Sequence, residues 1–332
     1  MKAALLLKPS PIETQPLVLT DYPVPKPGPK EILIRVKVCG LCHTDLHTVE
    51  GELALPRLPL IPGHQIVGLV EGKGKEARRF REGDRVGVPW LHSTCGKCEY
   101  CREGNENLCD EARFTGLHAD GGYAQYCVVG QDFACPIPKE YPDLQAAPLL
   151  CAGIIGYRAL RLSGVKPGDR LGLYGFGASA HIAIQVAIHW GCEVYVFTRS
   201  EVHRSLAGSL GAAWTGRAED EPPKNLHSAI LFAPVGKLVP EALRVLRKGG
   251  TVALAGIHMS PIPEMEYGLL YHERCVKSVA NSTRRDATDL LSLAPKIPIR
   301  TEVEAFPLAQ ANQALGLLKA SKIRAAGVLT IP

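Results

Sequence analysis

Four cysteines fall within fifteen residues, Cys95, Cys98, Cys101 and Cys109, and their spacing is the strongest chemical signal in the chain. Two-residue gaps let successive thiolates turn toward one point, and a fourth after a longer gap closes a tetrahedron around Zn²⁺. A pair of disulfides and a nucleic-acid-binding zinc ribbon are the competing readings. Ala3 to Leu7 gives only a short apolar run before Lys8-Pro9, which is no secretory leader, so a reducing, cytoplasmic location is expected. There such a cluster holds metal rather than bridges. The net charge of +5 over 332 residues is modest and no basic run flanks the loop, so no nucleic-acid partner is expected.

A second signal is Gly175-x-Gly177-x-x-Ala180. Gly175 permits a tight turn, Gly177 lets backbone approach a pyrophosphate, and Ala180 lets helix and strand pack closely, so the pattern suits a dinucleotide if it joins a strand to a helix. The next strand should end at Thr198-Arg199, with no acid to hold a ribose 2′-hydroxyl. Thr198 can bond a phosphate and Arg199 can pair with it bidentately, which favours NADP(H) over NAD(H). Three further segments carry possible ligands: Cys42-His43-Thr44-Asp45-Leu46-His47, Gly63-His64-Gln65 and Leu149-Leu150-Cys151-Ala152-Gly153. Taken singly each is ambiguous, because a lone cysteine is more often a buried apolar residue. Cys39, Cys127, Cys135, Cys192 and Cys275 fit no ligand spacing and read as packing residues.

The elements that must position these groups change character near Pro148. Before it, short β-type runs are broken by Gly and Pro, at Ile32 to Val38, Ile66 to Val70, Arg85 to Val88 and Tyr123 to Val129. After it, a helix over Leu149 to Ser163 leads into strands at Arg170 to Tyr174, Glu193 to Thr198, Ser228 to Ala233 and Thr251 to Ala255. Helices are expected between them, the last over Val239 to Arg247. The fold class is α/β, a β-rich barrel-like domain plus a doubly wound parallel sheet. The length suits two domains, and the final strand Ala326 to Ile331 can return to the first, splitting it. No apolar run reaches the ~18–20 residues of a bilayer span, so no membrane partner is expected.

The order of Cys-His-Thr-Asp, Gly-His, a four-cysteine loop, Leu-Cys-Ala-Gly and Gly-x-Gly resembles that of the zinc-dependent medium-chain alcohol dehydrogenases, over essentially the whole chain. The resemblance implies a GroES-like domain at 1–150 and 283–332, with a structural zinc lobe at 92–112, and a Rossmann domain at 151–282. It implies two zinc ions per chain. Cys42, His64 and Cys151 match the ligands of a catalytic zinc, and the four-cysteine loop matches the structural one. Thr44 and His47 match the proton relay, Asp45 the carboxylate that orients His64, and His43 a basic residue near the pyrophosphate. Arg284 resembles an arginine that some members present to the cofactor.

Val49 and Leu53 fall where ethanol-specific yeast enzymes carry tryptophans, and Trp90 keeps an aromatic in the pocket, so substrates larger than ethanol are expected: medium-chain or aromatic alcohols and their aldehydes. Gln65 stands where many members have Glu. The resemblance further implies a homo-oligomer, dimer or tetramer, joined through edges of the cofactor domain, with the active site in the cleft between the domains. A zinc-independent quinone or enone reductase on the same fold is the alternative enzyme, and a non-catalytic zinc- and nucleotide-binding protein is the alternative from another class.

Overall fold

A computed structural model describes residues 1–332, which form two compact units. Met1–Cys151, Thr283–Pro295 and Arg300–Pro332 make the first, and Ala152–Ser282 with Lys296–Ile299 the second.

The first unit is built on a seven-stranded sheet. Its spine is the long strand Glu31–Gly40, in which Ile32, Ile34, Val36 and Val38 alternate inward. Two bulges bend it, so one edge serves two partners: its first half pairs with Tyr126–Gly130 and its last residues pair with Ala326–Thr330. The chain's final strand therefore closes the sheet opened by its early strands. On the other edge, Gln65–Lys73 pairs antiparallel with the spine. Gly40 lies opposite Gln65, so Cys42 and His64 leave the same end of two bonded strands. That register brings two sulfur- and nitrogen-bearing side chains together across a long stretch of sequence.

The second unit is an entirely parallel six-stranded sheet. Its order is Trp214–Gly216, Glu193–Phe197, Arg170–Tyr174, Leu226–Leu231, Leu246–Leu254 and Cys275–Ser278. In chain order that is 3-2-1-4-5-6, the doubly wound arrangement that leaves a crevice where the winding reverses. The two outermost strands escape the hydrophobic pattern, because edge positions are only half covered: Cys275–Ser278 is mostly exposed and its Cys275 is not a packing residue. Arg170–Tyr174 runs through Gly175 into the helix Ala178–His189.

Two expected helices are shorter than their sequence pattern. Leu149 to Ser163 is interrupted, with a 3₁₀ turn at Ala147–Leu150 and a helix at Ala152–Leu162. Cys151 between them sits at φ −132°, ψ −72°, outside the helical region. The helix expected to reach Arg247 ends at Arg244, because the strand begins at Leu246. No helix is long and apolar enough to cross a membrane.

Candidate active site

Cys42 is the N-cap of the helix His43–Glu50, with extended dihedrals that turn its side chain off the helix axis. His64 is 1% exposed, just before the Gln65–Lys73 strand. Cys151 arrives from the break after the 3₁₀ turn. The donor atoms of Cys42, His64 and Cys151 lie within 4.8 Å of one another, with Cys42 Sγ 3.8 Å from Cys151 Sγ and His64 Nε2 3.3 Å from Cys151 Sγ.

Asp45 organises this cluster from behind. Its buried carboxylate accepts from Cys42 N at 2.9 Å, Gly63 N at 3.2 Å and His64 Nδ1 at 2.8 Å. With Nδ1 held by Asp45, Nε2 is turned toward the thiols. Burial opposes charge on His64, but the carboxylate and the Cys42 sulfur outweigh it and hold the imidazole up at about 10. The hydrogen bond from Cys151, against burial, drives Cys42 well below the usual thiol range, while the same bond and burial push Cys151 well above it. The shared bond therefore favours the thiolate on Cys42 and the thiol on Cys151. Buried Tyr123 lies close by, and burial together with the Asp45 charge holds its phenol protonated. A soft, partly anionic Cys₂His set with an oriented imidazole fits a tetrahedral Zn²⁺ that keeps one open position.

The other expected site residues surround these groups unequally. Thr44 is buried on the first turn of the same helix, its Oγ1 3.6 Å from Cys42 Sγ. His47 follows one turn later, half-buried, its ring 6.4 Å from that of exposed His43. The Trp90 ring lies 6.0 Å from the His64 ring and stacks on Phe114 at 4.3 Å. Leu53 is half-buried just past the helix. Val49 requires a correction: it is fully buried within the unit's hydrophobic core, with Leu46 one turn earlier, so it is a packing residue rather than a pocket wall. Gln65 is buried at the start of its strand.

Cys95, Cys98, Cys101 and Cys109 form a second set of four sulfurs within 4.8 Å. Backbone N–H groups of Lys97 and Cys98 bring Cys95 down to about 7, while burial and the neighbouring sulfurs push Cys98 and Cys109 up, so the thiolate is favoured at Cys95. Four sulfurs complete a tetrahedron and leave no position for substrate. Between Cys101 and Cys109, Glu106 is 4% exposed. Its Oε1 accepts from both the backbone N and Nε of Arg284, each at 3.1 Å, and the guanidinium lies 4.9 Å over the Phe133 ring. Arg284, expected at the cofactor, is thus claimed by a buried carboxylate that needs a cation.

In the second unit, Gly175 has φ +84°, and a Cβ there would meet Ala233 at 3.0 Å. Only glycine makes that turn. Gly177 caps the following helix and faces open space, while Ala180 is fully buried. Backbone amides at this helix N-terminus are free to meet phosphate. Thr198 is nearly buried, and its carbonyl accepts from Arg204 Nη1 at 2.8 Å. Arg199 is exposed, and Arg204 also pairs with Glu201, the nearest acid along the chain.

Residues 28–139 match the family model for the alcohol dehydrogenase GroES-like domain, and residues 180–296 that for zinc-binding dehydrogenases. A probable alcohol dehydrogenase of Mycobacterium tuberculosis is 48% identical, covering 100% of this chain and 97% of that protein. The chain belongs to the zinc-dependent medium-chain alcohol dehydrogenase family. As expected for this family, its fold is similar to that of a cinnamyl alcohol dehydrogenase from Sorghum bicolor, at 27% identity and a TM-score of 0.90, over 99% of this chain and 97% of that one. CAD from Helicobacter pylori, complexed with NADP(H), gives 26% identity and a TM-score of 0.88 over the same shares.

This alcohol dehydrogenase family member is an oxidoreductase, and its GroES-like and Rossmann-type parts match the fold class read from the sequence. Two residues that contact expected site residues escaped the sequence reading. Glu106 faces Arg284 across 178 positions, which no local pattern reveals. Glu52 bonds His47 Nδ1 at 2.6 Å, and a carboxylate following a Gly just beyond a candidate relay histidine was the available signal.

Proposed function

We propose that the chain is a zinc-dependent alcohol dehydrogenase and aldehyde reductase that uses NADP(H) and takes medium-chain or aromatic alcohols. The observation that carries the proposal is the convergence of Cys42, His64 and Cys151 donors within 4.8 Å, backed by Asp45. These three residues would hold the catalytic zinc, and the four-cysteine loop a structural one. When bound, zinc supplies Lewis acidity toward the alcohol oxygen, and the nicotinamide exchanges the hydride. Asp45 fixes the imidazole, and the two sulfurs offset the ion's charge. Thr44 accepts the hydroxyl proton, and His47, one turn along the helix, is the relay imidazole that passes it onward. Gly177 and the helix N-terminus after it receive the pyrophosphate, and Thr198 with exposed Arg199 receives the 2′-phosphate.

The NADP(H)-bound relative supports the cofactor reading, as does the missing acid after Phe197. The cinnamyl alcohol relative and the absence of tryptophan at position 53 support a bulky substrate. The exposed edge strand Cys275–Ser278, with Tyr267 72% and Tyr271 57% exposed nearby, supports assembly with a second copy.

Metal analysis should return two zinc ions per chain, and Cys42→Ala should lose one of them together with turnover of benzyl alcohol. The specificity constant should be higher with NADPH than with NADH. Full turnover by the Cys42→Ala enzyme overturns the metal reading, and a preference for NADH overturns the cofactor reading.

A further inference from the structure

We propose that Glu52 is a positioning residue that locks His47 in the tautomer its relay role needs, an inference that rests on the relay reading above. His47 Nδ1 and Glu52 Oε2 are 2.6 Å apart, at the short end of such bonds. The backbone builds this contact. The helix ends at Gly51, with φ +82°, whose N–H bonds back to the carbonyls of His47 and Thr48. A left-handed residue at that point reverses the chain. Glu52 N and Leu53 N then both donate to the His47 carbonyl, at 2.9 and 3.4 Å. The carboxylate is thereby folded over the turn that carries the imidazole.

The pair is 21% and 54% exposed, so it adds little to folding stability. Its effect is chemical. An ionised carboxylate only accepts, so the proton of the neutral ring resides on Nδ1 and the lone pair on Nε2. Nε2 is therefore the atom that receives the relayed proton, and the imidazolium that results has an anion already in contact with it. Without Glu52 both tautomers are open to the ring, and the one protonated at Nε2 cannot accept there. Asp45 makes the corresponding contact with Nδ1 of His64 in its buried place, so this helix and its cap orient two imidazoles by one device.

The test uses the zinc-loaded enzyme oxidising benzyl alcohol with saturating NADP⁺, together with ¹⁵N spectra of the histidine rings, in which the His47 signals are those missing from His47→Gln. Glu52→Ala should lower kcat about tenfold, part of the ~10²–10⁴ a general base contributes, with KM for NADP⁺ unchanged. Glu52→Gln, whose amide oxygen still accepts from Nδ1, should recover most of that loss. In the His47→Gln background, Glu52→Ala should have no further effect. The wild-type ring should carry its proton on Nδ1, and the Glu52→Ala ring should show a mixture. A slow His47→Gln enzyme beside an unimpaired Glu52→Ala enzyme overturns the proposal alone. Multiplying effects in the double variant, or a wild-type ring protonated on Nε2, also overturn it. Full kcat in His47→Gln instead overturns the relay reading itself.

Discussion

Asp45→Asn isolates the contribution of one buried carboxylate. In the native protein, Oδ1 accepts from Gly63 N and His64 Nδ1 while Oδ2 accepts from Cys42 N. An asparagine can keep its oxygen toward the first two donors, but its NH₂ then faces the Cys42 N–H, donor against donor. Two bonds fall from charge-assisted to neutral strength, about 1 kcal/mol each, and one buried N–H goes unpaired at about 2 kcal/mol. Release from burying a charge, which raises the Asp45 pKa in the native protein, offsets about 1 kcal/mol of this. The net loss of about 3 kcal/mol, expressed in the placement of Cys42 and His64, corresponds to about a hundredfold in zinc affinity, the upper end of what supporting partners of zinc ligands contribute. Competition against a chromophoric chelator measures it, and the four-cysteine set supplies an internal reference within the same molecule. One of two zinc equivalents should become easier to remove while the other keeps its affinity. Two equivalents released as in the unmodified protein, or two weakened alike, would refute the reasoning.

Other expectations follow from charges elsewhere in the first unit. His92 is pulled down to about 4 by burial, with Arg113 and His118 adding to it. Its native form is neutral, so as pH falls below 6.5 the unfolded chain gains a proton that the folded chain resists, and stability falls until about pH 4. The loss is about 2 kcal/mol by pH 5, and urea unfolding at pH 7 and pH 5 should show that much less change in His92→Gln. Arg284→Ala strands buried Glu106 without its cation, which should lower unfolding free energy by about 2 kcal/mol while KM for NADPH stays the same. A raised KM at unchanged stability would return Arg284 to the cofactor site.

Both halves of the fold were legible because their periodicities differ. Alternation at Ile32 to Val38 and the strand-turn-helix at Arg170 to Ala180 are local facts, and the structure keeps both. Edge strands at Trp214–Gly216 and Cys275–Ser278 are short and half covered, so they carry no hydrophobic signature. Cys151 shows a different failure. Apolar residues on both sides suggest one continuous helix, and only tertiary constraint breaks it at the residue that must point elsewhere. Val49 could have been placed from its position one turn after Leu46, since two apolar residues at that spacing share a buried face. The Glu106–Arg284 pair joins distant segments, and the His47–Glu52 bond depends on a reversal at Gly51, so neither follows from residue type alone.

The strand register that sets Gly40 opposite Gln65 has an evolutionary reading. It fixes Cys42 and His64 from the sheet side, so the segment from Gly51 to Pro62 hangs between two anchored ends. A single-residue slip in either strand would turn a donor to the wrong face, whereas insertions or deletions between Ala54 and Pro59, all but one of them exposed, leave both donors in place. Under the proposed function, chemistry is written in a part of the chain that tolerates no change of length, and the neighbouring loop is free to diversify. Descendants of this scaffold can exchange that loop for another without relearning how to hold their metal.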